Sequence, residues 1–125
     1  MRKQYHFRGS PQGLLAWDVD RLVALAKKLP RERVALNAIR ELDEAYWSNE
    51  GTKQLTCRDV VMHAQLMLQC DFDFPIILSS EGRVMDGMHR VCKALLLGHL
   101  DIEAVRFPSD PAPDFRDVHP DDLPY

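Results

Sequence analysis

The sequence lacks several features that would assign a function quickly. No two of its three cysteines, Cys57, Cys70 and Cys92, have C-x-x-C spacing. Their odd number argues against a disulfide framework, and the missing close pairs argue against a structural zinc site. Cys57 and Cys92 read as small buried hydrophobes. No apolar run approaches the roughly 20 residues needed to span a bilayer, so no membrane partner is expected. The basic start, Met1-Arg2-Lys3-Gln4-Tyr5-His6, has no apolar stretch behind it. It does not read as a signal peptide, and a cytoplasmic location is expected. A large surplus of positive charge is also missing. The net charge is −3, and residues 108–125 hold five aspartates against one arginine, which is −4 and leaves +1 for the body. A near-neutral body does not support DNA binding through a broad basic face. A Gly-x-Ser-x-Gly elbow is absent, so a Ser-His-Asp hydrolase is not expected. His63, His89 and Asp86 match no zinc-site spacing, and no resident metal is assigned.

What is present suits one ordinary globular domain. The chain has 125 residues, 46% of them hydrophobic and 28% charged, which is enough for a single core. The first dozen residues carry turn formers, Gly9, Ser10, Pro11 and Gly13, without a clear period, and read as an extended arm. Asp18 reads as an N-cap. After it, Leu22, Leu25, Ala26 and Leu29 fall at helical spacing, with Lys27 and Lys28 in the last turn and Pro30 as the stop. Val34-Ala35-Leu36 reads as a short strand, and Asn37–Tyr46 fits no single period. Ser48–Gly51 reads as a loop. Thr56 and Asp59 form a variant capping box. They open a helix whose apolar stripe is Val60, Ala64, Met67 and Leu68, with His63 at its border.

The most informative stretch begins at Phe74. Phe74–Ser79 reads as a buried strand, Glu81-Gly82 as a tight turn and Arg83–Asp86 as a second strand of a hairpin. Ser79-Ser80 reads as turn chemistry. Met88–Leu97 then reads as a helix with Val91, Ala94, Leu95 and Leu97 available for the core, and Gly98 as its C-terminal cap. Asp101–Phe107 alternates like a half-buried strand. The tail holds five of the eight prolines and reads as an extended or partly disordered arm, on which Phe115, Val118, Leu123 and Tyr125 could dock locally. Two roles fit it: a solubilising end, or an arm folded over a neighbouring subunit with Phe115 and Tyr125 as anchors. The predicted architecture is α/β (α+β), a small mixed sheet flanked by helices. One domain covers residues 1–107, including the arm and first helix, and an acidic, proline-rich tail covers 108–125.

The order strand, Asp86-Gly87-Met88-His89-Arg90, helix suits a phosphate. A helix N-terminus offers unpaired N–H groups and partial positive charge. Gly87 lets the backbone approach a bulky anion. Arg90, in the first turn, has a guanidinium that can fork onto phosphate oxygens. His89 can donate or accept near neutral pH. Asp86 can hold a magnesium–phosphate, take a proton or orient the loop. A plainer alternative has Asp86 capping the helix and Arg90 pairing with a surface carboxylate.

The stretch FPIILSSEGRVMDGMHRVCKALLLGHLDIEAVRF, residues 74–107, resembles the ParB/sulfiredoxin superfamily. In that group a hairpin leads through Gly-x-His-Arg or Gly-x-Arg-Arg into a helix, then Leu-Gly and a strand. The matching residues are Gly87-Met88-His89-Arg90, Ala94, Leu97-Gly98 and Ile102 to Phe107. The likeness extends more loosely back to Val34. It implies a nucleotide ligand, ATP, ADP or CTP, with Mg2+, whose phosphates lie on Gly87, Met88, His89 and Arg90. Sulfiredoxins carry their catalytic cysteine where this chain has Met88, so sulfiredoxin activity is not expected. Cys92 lies about one helical turn deeper and is a poor substitute. No helix-turn-helix follows within the sequence, so a full partition protein is not expected either. The motif Asp-Gly-x-His-Arg is most similar to that of the superfamily's free-serine kinases, in which an upstream glutamate acts on the substrate hydroxyl. That implies a role for Glu41, Asp43 or Glu44 in VALNAIRELDEAYW, with the register open.

Two hypotheses follow. One is a kinase that transfers a phosphoryl group to a small hydroxylated substrate. In it Asp86 binds magnesium or orients the nucleophile, Asp43 or Glu44 is the general base, and His89 and Arg90 stabilise charge on the transferring group. The other is a nucleotide-responsive regulatory or DNA-partitioning-related binding module without chemistry, working with a DNA-binding or other partner; a homo-oligomer is open in either case. The first requires an upstream carboxylate facing the motif. The second predicts an exposed apolar or basic patch beside it.

Overall fold

The computed structural model describes residues 3–48 and 54–125. It contains two sheets rather than one. The first is antiparallel, in the order β1-β2-β7, from Tyr5–Ser10, Gly13–Asp18 and Phe115–Arg116. The second is mixed, in the order β3-β6-β4-β5, from Glu32–Ala35, Asp101–Arg106, Ile76–Leu78 and Val84–Asp86. In it β4 and β6 run parallel while the other pairs are antiparallel. The helices are α1, Val19–Ala26, α2, Cys57–Gln69, and α3, Met88–Leu96. The fold class is therefore mixed α+β, with the mixed sheet the sequence predicts.

Alternation along the strands of the mixed sheet sorts the core into two layers. Ile76, Leu78, Val84, Ile102 and Ala104 face one cluster, where Met88, Val91 and Ala94 of α3 join them. Ile77, Met85 and Val105 face the other, against Trp17, Leu22 and Ala26. The parallel β4–β6 pair needs a long crossover, and the segment through β5 and α3 supplies it.

Several local signals act as the sequence predicts. The Asp18 side chain accepts the Asp20 N–H and starts α1. Thr56 and Asp59 make both bonds of the capping box. Gly98, at φ +80°, closes α3 with a Schellman pair: the His99 N–H bonds Ala94 O at 2.9 Å and the Gly98 N–H bonds Leu95 O at 3.1 Å. The Ser79 hydroxyl accepts the Glu81 and Arg83 N–H groups and fixes the β4–β5 turn.

Other expectations are corrected. The first dozen residues are not an arm: β1 and β2 pair from Tyr5–Asp18 to Ser10–Gly13. The tail is tied down rather than free. Phe115 pairs with Ala16, the Trp17 indole N–H donates to Pro111 O at 2.8 Å, and Leu123 is buried. Phe115 and Tyr125 do act as anchors, but both rings pack on Tyr5 of the same chain. Helix α1 stops at Ala26, so Lys27 caps it and Lys28 lies beyond, while Leu25 faces solvent. Leu36 leaves β3 for a 3-10 turn, Leu36–Ala38, followed by a second, Arg40–Asp43. Leu95 and Leu97 are exposed, because α3 turns their side away from the sheet. Cys57 is exposed at the first residue of α2, and Cys92 is half-buried. The loop expected over Ser48–Gly51 lies outside the described residues except for Ser48.

Candidate functional site

The chain passes from β5 into α3 through Gly87, whose φ of +107° is left-handed. A Cβ there would lie 2.7 Å from Ile76 Cγ2 and 2.8 Å from Arg90 Nη2. Glycine is thus required twice, by the backbone angle and by the close approach of β4. No side chain caps α3. Asp86 does not cap either; its Oδ2 accepts from Arg90 Nη2 at 3.2 Å, one helical turn on. The first turn of α3 is therefore open to an external acceptor.

That turn opens on a cleft of about 620 Å3. Asp86, Gly87, Met88 and His89 form one side of it. Lys3, Tyr5 and His6, from the N-terminal segment, also line it, as do Tyr46 and Trp47. Lys3 is held in place by Asp18 at 2.9 Å. Met88 lines the cleft while it is largely buried in the core.

The His89 imidazole stacks on Trp47, with centroids 4.8 Å apart. It shares a 2.9 Å hydrogen bond with His63 of α2, and His63 also stacks on Trp47 at 4.2 Å. Burial lowers the His89 pKa below the usual histidine range, and the neighbouring His63 and Arg90 push it the same way. His89 is thus neutral near physiological pH and can donate one hydrogen bond and accept another. Tyr46 is pushed up by burial and by the charges of Glu41 and Asp86, so it stays a neutral phenol.

Arg90 does not share this cleft. Its guanidinium donates to Asp86 and to Pro75 O at 3.4 Å and lines a groove of about 330 Å3 on the other side of the motif. Lys27 and Arg31 line the same groove, over an apolar floor of Val23, Ile77 and Val105. The motif therefore straddles two hollows: His89 serves one, Arg90 the other, and Asp86 borders both. This corrects the expectation that His89 and Arg90 act side by side.

The upstream carboxylates part company. Asp43 is exposed and lines neither hollow. Glu44 is exposed and held in a two-pronged ion pair by Arg83, at 2.9 and 2.5 Å, which keeps its carboxyl below the usual range. Glu41 turns inward instead. It is 3% exposed, and its Oε2 accepts the Val84 N–H at 2.6 Å beside Arg83 Nε at 3.3 Å. None of the three lines the cleft with Gly87. Among the described residues no group of three or more His, Cys, Asp or Glu could hold a metal ion, and no helix is long and apolar enough to cross a membrane.

Sequence reasoning missed Lys3, His6, Tyr46 and Trp47, and it placed His63 as a packed or rim residue. The alternation Tyr5, Phe7 against His6, Arg8 was a usable strand signal, hidden by the turn formers that follow it. Comparison of the chain with protein-family models, with curated proteins and with solved structures finds no match.

Proposed function

We propose that the cleft at the start of α3 binds the phosphates of a nucleotide, and that the protein is a nucleotide-responsive binding module. The observation that carries this is the uncapped first turn of α3, opening beside Gly87 into a cleft with His89, Lys3 and the Trp47 ring on its walls. Backbone N–H groups and the helix dipole would meet the anion, with Lys3 also lining the cleft. A base could lie on the exposed ring of Tyr46, beside Trp47. Mg2+ accompanying the nucleotide would meet one protein carboxylate, Asp86, and take its remaining ligands from phosphate and water. The resemblance of residues 74–107 to the ParB/sulfiredoxin superfamily supports the same reading.

Binding without chemistry is preferred over phosphoryl transfer for two reasons. The base proposed for transfer, Asp43 or Glu44, does not line the cleft. Beside the cleft, α2 carries His63 inward to His89 and turns Val60, Val61, Met62, Leu66 and Leu68 to solvent. Exposed apolar residues adjoining a ligand site are what a responsive module would present to a partner. Transfer to a small hydroxylated substrate would have to use Asp86 as the base, and Arg90 holds that carboxylate in an ion pair.

The test is a thermal-shift titration with ATP, ADP, CTP and GTP, with and without Mg2+. At about 100 times its dissociation constant a nucleotide adds roughly 2.7 kcal/mol of stability, several degrees for a domain this size. One nucleotide should give that shift, and His89→Ala should remove it. No shift with any of the four would remove the nucleotide reading. A shift lost in Arg90→Ala but kept in His89→Ala would move the site to the Lys27–Arg31 groove.

A further inference from the structure

Helix α2 is 13 residues long and buries none of them. A helix of that length is marginal in water by itself, and most helices owe their stability to an apolar stripe packed on something else. The side of α2 that meets the rest of the chain is narrow. Asp59, His63 and Met67 are half-buried positions one turn apart on it, and His63 makes the bond to His89 of α3.

A second stripe runs along α2, roughly 130° around the helix from the first at about 100° per residue. It comprises Cys57, Val61, Ala64 and Leu68, all exposed, with Val61 at 58% and Leu68 at 66%. Val60 flanks it, while Met62 and Leu66 lie on the far side of the helix. The intervals are four, three and four residues, the a/d repeat of a seam between two helices. The stripe also complements itself. When two copies of α2 run antiparallel, Leu68 of each falls opposite Cys57 of the other, and Val61 falls opposite Ala64. A larger side chain thus meets a smaller one in all four layers, as close packing requires. Charge favours the same direction. Arg58 borders the stripe and is exposed. A parallel pair would set the two Arg58 side chains at one level, whereas an antiparallel pair puts them at opposite ends and opposes the helix dipoles.

We propose that this stripe of α2 is a homodimer interface, occupied by the same stripe of a second, antiparallel copy of the chain. It names the partner for the exposed apolar residues of α2 and does not depend on what the α3 cleft binds. An α2 about 20 Å long supplies a contact at the small end of specific interfaces, on the order of 1,000 Å2 for the pair. The dimer should therefore be of roughly micromolar affinity rather than permanent.

The experiment is sedimentation equilibrium of the full chain from roughly micromolar to several hundred micromolar concentration. The unaltered chain should pass from monomer to dimer across that range. Ala64→Lys, at an exposed position in the middle of the seam, should weaken association tenfold or more, and circular dichroism reports that the variant is folded. Met62→Lys, on the far side of α2, should leave association unchanged. Leu68→Cys should form an intermolecular bridge to Cys57 under mild oxidation, located by peptide mapping. A chain that stays monomeric throughout, or a dimer that Ala64→Lys leaves intact or Met62→Lys weakens equally, would overturn the proposal. So would a Cys57–Cys57 bridge dominating in the oxidised unaltered chain, because it would make the pair parallel. Failure of every nucleotide to bind would leave it untouched.

Discussion

Helices α2 and α3 look alike in sequence and differ in what they do. Both carry apolar residues at helical spacing and both have defined starts. Helix α3 buries Met88, Val91 and Ala94 against the mixed sheet, whereas α2 buries none of its residues. Val60 is 55% exposed and Leu68 66% exposed, while Val91 is fully covered. The two touch where His63 meets His89 and where Lys93 donates to Cys70 O at 2.8 Å. An apolar stripe and a cap thus determine that a helix forms. They do not determine that it joins the core, because that depends on whether a sheet face remains uncovered within reach.

The comparison can be broken hardest at the start of α3. Gly87→Ala meets both a positive φ and Ile76 at 2.7 Å, so it should cost about 3 kcal/mol or more. Gly98→Ala, at φ +80° with no atom within 4 Å, should cost only about 1 kcal/mol. Chemical denaturation measures both, and equal costs would show that β4 can yield.

A matched pair of truncations comes next. Val91→Ala should lose about 2 kcal/mol through a cavity in the core. Val60→Ala should stay within about 0.5 kcal/mol. A large loss at Val60 in a concentration-dependent melt would show that the outer face of α2 is covered in solution.

Thr56→Ala removes the reciprocal cap of α2 and should cost about 1 kcal/mol. Because α2 is so lightly anchored, the loss should appear as faster hydrogen exchange in α2 before it appears in the global transition. If α2 and α3 exchanged together, the two helices would be one cooperative unit.

The smallest effect concerns the contact between them. His89 holds its proton less tightly folded than unfolded, chiefly through burial and then through His63 and Arg90. Its stabilising contribution is therefore full above the ordinary histidine value of 6.5 and is lost as pH falls from there through the lowered folded value. His89→Phe should flatten that part of the stability profile. An unchanged slope would assign the acid sensitivity to His6, whose folded value is about 4.

Much of the second half was legible because its signals are local. The β4–β5 hairpin, Gly87, the extent of α3 and the Gly98 stop all follow from residues within a few positions of one another. The N-terminal hairpin and the tail were not legible for the opposite reason. Ala16 and Phe115 pair across the whole chain, and the short β7 has no alternation long enough to read. The upstream acidic segment shows the same limit. Glu41, Asp43 and Glu44 are equivalent as sequence; Arg83 meets both Glu41 and Glu44, and only burial and the Val84 N–H single out Glu41.

By itself the sequence determined the mixed α+β class, the glycine-bounded helix and the residues that carry the motif. These rest on backbone sterics, capping and periodicity, which act over a turn or two of chain. Tertiary structure alone decided that His89 and Arg90 line different hollows, that Lys3 and His6 line the one with His89, and that α2 keeps its apolar stripe in solvent. Each depends on which distant segment occupies a given face, and packing between segments far apart in the chain leaves no pattern in either one alone.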